Sequence, residues 1–270
     1  MEWFEAVILG LIQGLTEFLP VSSSGHLEIG KELLGVEATE DLMFTTMVHA
    51  ATVLSTIVVF RKQIVDLLKG FFKFKYNDET DYLFKIAVSI VPIMIVGLFF
   101  KDHVEALFGS IKVVGCALFL TSALLFFSDL ASRRNIGSGS ACGKEARNGI
   151  SYWQAFVVGL SQALAVIPGL SRSGTTISTG LICGVRRDVM AQFSFLMVLI
   201  PILGESFLEL VGGEFSQSSV GALQLLLGFV AAFASGLFAC KVMIALVKKA
   251  KLSWFAIYCL IAAAAIFIFA

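Results

Sequence analysis

Charged side chains are scarce in this sequence. Asp, Glu, Lys and Arg make up 15% of its 270 residues, against roughly 25% in an average soluble domain. That shortage excludes an ordinary water-facing surface. Neither sign of charge is in excess, with 20 Lys and Arg against 20 Asp and Glu, so no global field directs the chain to nucleic acid. The five cysteines lack any paired spacing. Cys116, Cys142, Cys183, Cys240 and Cys259 are scattered, and four lie in apolar segments, which argues against a zinc site or a disulfide framework. The opening stretch, MEWFEAVILGLIQGL, has no basic region and carries Glu2 and Glu5. It does not read as a cleaved signal peptide, and nothing further along reads as an appended soluble domain.

What is abundant is apolar. Hydrophobic residues reach 57% and the mean hydropathy is +0.89. Segments near 44–60, 82–100, 112–128, 189–210, 220–246 and 253–269 each approach the roughly 20 residues needed to cross a hydrocarbon core. Two further apolar stretches are broken. Residues 3–36 are interrupted by Pro20 and Ser22-Ser23-Ser24-Gly25-His26, and residues 151–185 by Pro168-Gly169 and Ser171-Arg172-Ser173-Gly174-Thr175-Thr176. Their second limbs are too polar to cross, so each reads as a re-entrant helix–loop–helix hairpin. Irregular backbone survives at membrane depth only when buried in protein or lining a wet cavity, which makes the two breaks a candidate site. The stretch 61–81, with Phe71, Phe72 and Phe74 among Lys69, Lys73 and Lys75, suits either an interfacial segment or a basic loop.

The two hairpins are copies. A shift of 149 residues aligns 6–36 with 155–185 at ten identical positions in 31, including Gly10/Gly159, Gln13/Gln162, Ser22/Ser171, Ser24/Ser173 and Gly25/Gly174. Average composition would give about two or three by chance. Three spans follow each hairpin, and an odd number inverts the second copy. The seventeen lysines and arginines outside the spans and hairpin tips then divide fourteen to three between the two sides of the membrane, which makes the richer side cytoplasmic and both termini external. The expected fold class is an all-α polytopic membrane protein with about six transmembrane helices, two re-entrant hairpins and an inverted-topology internal repeat. Its single integral membrane domain divides into repeat one (1–130), a cytoplasmic loop (131–150) and repeat two (151–270).

Polar groups at membrane depth are costly and therefore functional candidates. Gln13 and Glu17 are one helical turn apart on one face. Ser22, Ser23, Ser24 and His26 open the second limb of the first hairpin, and Ser171, Arg172, Ser173, Thr175 and Thr176 occupy the equivalent place in the second. Where such tips meet, an arginine at a helix N-terminus with glycines allowing close approach forms an anion cradle. Gln13 and Glu17 offer oxygen ligands that suit Mg2+ or Ca2+ better than zinc. His26 is suited to nucleophilic or acid–base work. Plainer roles compete for the same residues. Serines and threonines at these places cap helices, and a Glu–Arg pair can be purely structural. His49 and His103 read as packing or interface residues, and Glu205 is an unexplained acid within a span.

QGLTE at 13–17 with FLPVSSSGH at 18–26, and PGLSRSGTT at 168–176, resemble the two signatures of the bacterial undecaprenyl-diphosphate phosphatases. The resemblance covers essentially the whole chain. It implies hydrolysis of undecaprenyl diphosphate to undecaprenyl phosphate and inorganic phosphate, which recycles the lipid carrier of peptidoglycan synthesis and confers bacitracin resistance. It also implies a divalent cation, a location in the bacterial plasma (inner) membrane and a site open to the periplasmic or outer side. By motif position, Gln13 and Glu17 are the metal or acid–base pair. Glu17, Ser23, His26 and Arg172 are the catalytic candidates, with Ser23 or His26 attacking phosphorus. Ser22, Ser24, Gly169, Ser171, Ser173, Gly174 and Thr176 are the expected substrate contacts. Gln13 stands where many relatives carry glutamate. The implied partners are a polyprenyl diphosphate lipid and the bilayer, not nucleic acid, and a homodimer is one assembly open to the chain. SSSGH is also similar to a piece of the type-2 phosphatidic acid phosphatase signature, but Ser178 stands where that signature needs histidine. The competing class is a transporter or flippase of a phosphorylated polyprenyl lipid, which has less need of a nucleophile.

Overall fold

The computed structural model describes residues 1–36, 41–100, 111–138, 146–204, 220–249 and 251–269. Cys142, His103, Glu205 and Ser218 lie outside them. Among the described residues there are eleven α-helices and no strands. They are α1 (Trp3–Phe18), α2 (Ser23–Leu34), α3 (Asp41–Val59), α4 (Arg61–Phe71), α5 (Asp78–Phe99), α6 (Ile111–Ser138), α7 (Tyr152–Leu164), α8 (Arg172–Ile182), α9 (Arg187–Met197), α10 (Ala222–Lys249) and α11 (Ser253–Phe269).

Among the described residues four helical stretches are long and apolar enough to cross a membrane: Asp78–Phe99, Ile111–Ser132, Arg187–Gly204 and Ala222–Val247. Their outward faces carry Leu98, Phe99, Phe127 and Phe238, all exposed. A soluble monomer rarely leaves contiguous apolar patches of more than a few hundred Å2 in water. Exposed Trp153 and Trp254 lie near the starts of α7 and α11, as residues of an interfacial aromatic belt do. The chain is a multi-pass membrane protein.

Two details go beyond the sequence reading. The expected span at 44–60 corresponds to α3, which runs into α4 with a bend of 74°. Phe60 is the junction between them, and beyond it Arg61, Lys62 and Lys69 favour water over a continued apolar path, so the first part of the basic stretch, Arg61–Phe71, is a helix. Helix α6 continues to Ser138, past the end of the apolar stretch, and residues 147–149 form a single 3-10 turn. Periodic hydropathy marks where apolar character ends, and a helix can run on past that point.

Both broken segments are helix–loop–helix units. Pro20 follows the end of α1, and Ser22 caps α2, its Oγ accepting from the Gly25 amide at 3.2 Å. Ser151 and Gln154 form a reciprocal capping box at the start of α7. The break at Pro168-Gly169 is followed by Ser171, whose Oγ accepts from the Gly174 amide at 3.1 Å. The four N-terminal amides of a helix have no partner of their own, and these serines each satisfy one.

Small residues lock the halves together. A Cβ on Gly10 would lie 2.4 Å from the Gly228 carbonyl oxygen, and one on Gly14 would lie 2.4 Å from that of Ala232, so α1 packs backbone to backbone on α10. At the repeat-equivalent position, a Cβ on Gly159 would lie 2.2 Å from the Ser89 carbonyl oxygen, so α7 packs likewise on α5. In lipid, where apolar side chains gain little by leaving their surroundings, such close approach is the main attraction between helices. Gly14→Ala is expected to lower the melting temperature in detergent by several degrees. Gly97→Ala should leave it at or above that of the parent, since nothing lies within 4 Å of that position. Equal melting of the two variants would contradict the close packing of α1 on α10.

Two buried ion pairs secure other helix ends. Lys85 donates to Asp81 at 2.5 Å and to the Arg147 carbonyl oxygen at 2.6 Å, while the Tyr76 and Tyr152 hydroxyls donate to the other Asp81 oxygen at 2.6 and 3.0 Å. Arg187 donates to Asp129 at 2.6 Å, and Ser253 does so at 2.6 Å. A buried charge persists only when paired and hydrogen-bonded, and here the first pair ties the segment around Arg147 to α5.

Candidate active site

The stripe of α1 that packs on α10 also carries the site. Ala6, Gly10, Gln13, Gly14 and Glu17 are all buried on it. Glu17, 8% exposed, lies at the end of the helix. Its Oε1 receives a hydrogen bond from Arg172 Nη2 at the start of α8. Its Oε2 accepts from Ser23 Oγ at 2.5 Å and from Gln13 Nε2 at 3.0 Å. A buried carboxylate unpaired at this depth would cost several kcal/mol, and one guanidinium with two further donors offsets that cost. Gln13, Glu17, Ser23 and Arg172 therefore form one connected set, built from three helices of two different sequence halves.

The loops that present this set cross tip to tip. A Cβ on Gly25 would come within 3.3 Å of Gly169 Cα, and one on Gly174 within 3.3 Å of Pro20 Cβ. Gly169 has φ +87°, and a side chain there would stand 2.6 Å from the Val114 carbonyl oxygen. Only glycine meets both demands. The Gly169 amide donates to Ser24 Oγ at 3.3 Å and Ser173 Oγ to the Leu19 carbonyl at 3.2 Å, so each loop is hydrogen-bonded to the other.

The remaining expected contacts hold this frame. Ser22 and Ser171 are the two caps, with Ser22 at φ +72°. Thr176 Oγ1 donates to the Arg172 carbonyl oxygen at 2.9 Å and lies 2.7 Å from Ser194 Oγ. The Ser171 amide donates to Thr121 Oγ1 at 3.0 Å. Meanwhile the amides of Ser23 and Ser24 on α2, and of Arg172 and Ser173 on α8, take no partner among the described residues. Two helix N-termini with open amides, beside a guanidinium, make a site for an anion.

His26 follows in the same hairpin and is bonded to a different helix. Its Nδ1 lies 2.7 Å from the Ser22 carbonyl oxygen and its Nε2 2.7 Å from the Tyr258 hydroxyl on α11. Among the described residues no hydrogen bond joins His26 to Glu17 or Arg172. His49, expected to be a packing or interface residue, has its Nδ1 2.8 Å from the Thr45 carbonyl oxygen on its own helix. Thr121, Ser194 and Tyr258 were not legible from the sequence. Each lies far from the motifs along the chain or within an apolar stretch, and only folding brings it to them.

The donor set fits a divalent cation in part. Glu17 has three hydrogen bonds on a group with about four acceptor positions. Gln13 Oε1 is buried and without a partner. Among the described residues no group of three or more His, Cys, Asp or Glu side chains comes together. The protein thus offers two oxygens, which suits an ion such as Mg2+ that takes few protein ligands and fills its shell with water and substrate phosphates.

The fold is that of a polytopic membrane protein in which two helix N-termini are apposed beside Arg172 and Glu17. A model of the bacitracin resistance protein BacA family matches residues 6–265, and the chain belongs to that family. It is 55% identical over 265 residues to the undecaprenyl-diphosphatase of Bacteroides fragilis, covering 97% of this chain and 96% of that one. It is 54% identical over 272 residues to the undecaprenyl-diphosphatase of Bacteroides thetaiotaomicron, covering 99% of each. A more distant undecaprenyl-diphosphatase, from Halothermothrix orenii, is 38% identical over 271 residues and covers 100% of this chain and 99% of its own.

Proposed function

We propose that the protein is an undecaprenyl-diphosphatase that hydrolyses undecaprenyl diphosphate to undecaprenyl phosphate and inorganic phosphate, recycling the carrier lipid for peptidoglycan synthesis and conferring bacitracin resistance. The observation that carries this reading is the Arg172–Glu17–Ser23 cluster at the crossing of the two loops. The diphosphate lies between the N-termini of α2 and α8. Arg172 and the open amides bind its oxygens, where fixed donors stabilise the charge that grows as the bond breaks. The sequence leaves Ser23 and His26 open as attacking groups, with a slight lean to His26. The 2.5 Å hydrogen bond from Ser23 to Glu17 favours Ser23, because a nucleophile is activated by a base within reach that a third group orients. Ser23 Oγ attacks the terminal phosphorus and its proton passes to Glu17. The bond to the bridging oxygen breaks, and undecaprenyl phosphate leaves. Water then attacks the phosphoserine, giving its proton to His26 Nε2, and the bond from phosphorus to Ser23 Oγ breaks as Glu17 returns its proton to that oxygen and phosphate departs. Glu17 and Gln13 Oε1 would hold a divalent cation, which when bound supplies charge neutralisation at the phosphates.

A flippase could hold the same phosphate without cleaving it, but the paired hydroxyl and carboxylate would then serve no purpose. Purified protein is expected to release phosphate from a polyprenyl diphosphate, and to release less with chelator present. Binding without release would favour the carrier.

The inverted repeat supports a sidedness. Gly10 and Gly159, 149 residues apart, each back onto a helix of the other half, as two copies related by a pseudo-two-fold axis would. On this reading both hairpins are re-entrant, repeat one spans 1–130 and repeat two 151–270, and the protein sits in the inner membrane. The polar second limb of hairpin one, with Glu28, Lys31 and Glu32, lines an outward vestibule. In intact cells an impermeant maleimide should spare Cys142 and label a cysteine placed at Ser218 in a background cleared of the other four. The reverse pattern would exclude this topology and with it the outward-facing site.

A further inference from the structure

The C-terminal helix α11 reaches the site through one side chain. Tyr258 stacks on His26 with ring centroids 5.5 Å apart and planes 14° from parallel, and its hydroxyl lies 2.7 Å from Nε2. On the other side of the imidazole, Nδ1 lies 2.7 Å from the Ser22 carbonyl oxygen. A backbone carbonyl can only accept, so Nδ1 carries the proton. In the neutral ring Nε2 is then a lone pair, and the Tyr258 hydroxyl donates to it. The next residue fixes the approach of the helix, since Cys259 Sγ, fully buried, lies 3.6 Å from the Pro20 carbonyl oxygen in the turn of the first hairpin.

We infer that Tyr258 is a positioning residue for His26, holding its tautomer and ring plane so that the Nε2 lone pair, bonded to the Tyr258 hydroxyl at rest, is ready to take the proton of the attacking water. The inference rests on the proposed role of His26 as the group that takes the water's proton. Without Tyr258 the imidazole would be held by backbone groups of Ser22 and Val21 alone, with no side chain fixing its ring plane. Stack and hydroxyl together fix that plane, and half-exposed Tyr258 can release the lone pair when the attacking water arrives. Orientation of a base by a second hydrogen bond is the role a third group plays in other acid–base sites. The inference also gives the repeat a purpose. Hairpin one comes from the first half, and the residue that orients its histidine comes from the last helix of the second.

Tyr258→Phe keeps the stack and removes the hydroxyl. It should lower kcat roughly tenfold, on the scale of one lost hydrogen bond, with KM and melting temperature unchanged. In a His26→Ala background the same change should have no further effect, as required of two residues acting through one another. A second readout is independent of turnover. Diethyl pyrocarbonate reacts with an unprotonated imidazole nitrogen, so carbethoxylation of His26, followed by mass spectrometry, should be several-fold faster in Tyr258→Phe. An unchanged modification rate would overturn the hydrogen bond. Lost activity in His26→Ala with none lost in Tyr258→Phe would overturn the positioning role alone. Full activity in His26→Ala would remove the proposed role of His26 and this inference with it.

Discussion

Arg172→Ala is expected to abolish nearly all phosphate release. The guanidinium is fixed by Glu17 at the N-terminus of α8, so it meets the developing charge without reorganising. Removing a donor of this kind typically costs ~3 kcal/mol, about 100-fold in rate. The loss here should exceed that figure, because the change also leaves Glu17 buried without its cation partner. Arg172→Lys should recover little. An ammonium lacks the planar fork that lets one side chain hold a carboxylate and phosphate oxygens together. Steady-state phosphate release by folded, detergent-purified variants checks this. Near-normal turnover in Arg172→Ala would place the phosphate clamp elsewhere.

Glu17→Gln should be nearly as severe, and more revealing. It removes the base that Ser23 donates to, the partner of Arg172 and the only carboxylate of the proposed cation pair in one step. Stimulation by Mg2+ or Ca2+ should vanish with it. Gln13→Glu should be tolerated and should shift the metal titration to lower concentration, because a second carboxylate adds charge where Gln13 Oε1 now lies buried without a partner. The two variants separate roles that the motif alone merges. Equal effects on metal titration would rule out a cation held between these two side chains.

The fold class and the site motifs were legible because bilayer physics leaves few options. A chain this poor in charge with these apolar stretches must span a membrane as helices, and breaks in such helices must be sheltered. The pairing of Gln13 with Glu17 followed from helical period alone. The ends of α6 and the bend between α3 and α4 did not, since hydropathy records solvent preference and not the path of the backbone. The serines show the same limit. Sequence spacing allowed Ser22 and Ser171 to be caps or phosphate contacts, and their hydroxyls prove to be caps.

The sequence by itself determined the family, the membrane class, and the two repeated loops with the motif residues they carry. These rest on local patterns: motif spacing, period and composition. The tertiary structure decided which of those residues act together. Glu17 met Arg172 across 155 positions and His26 met Tyr258 across 232. Tyr258 in the sequence is one more aromatic in an apolar helix, with nothing to set it apart from Trp254 or Phe255. Contacts at such separation depend on how glycine-lined helix faces pack, as Gly10 does on Gly228 and Gly159 on Ser89. That packing is a property of two surfaces fitting each other, which neither segment carries alone.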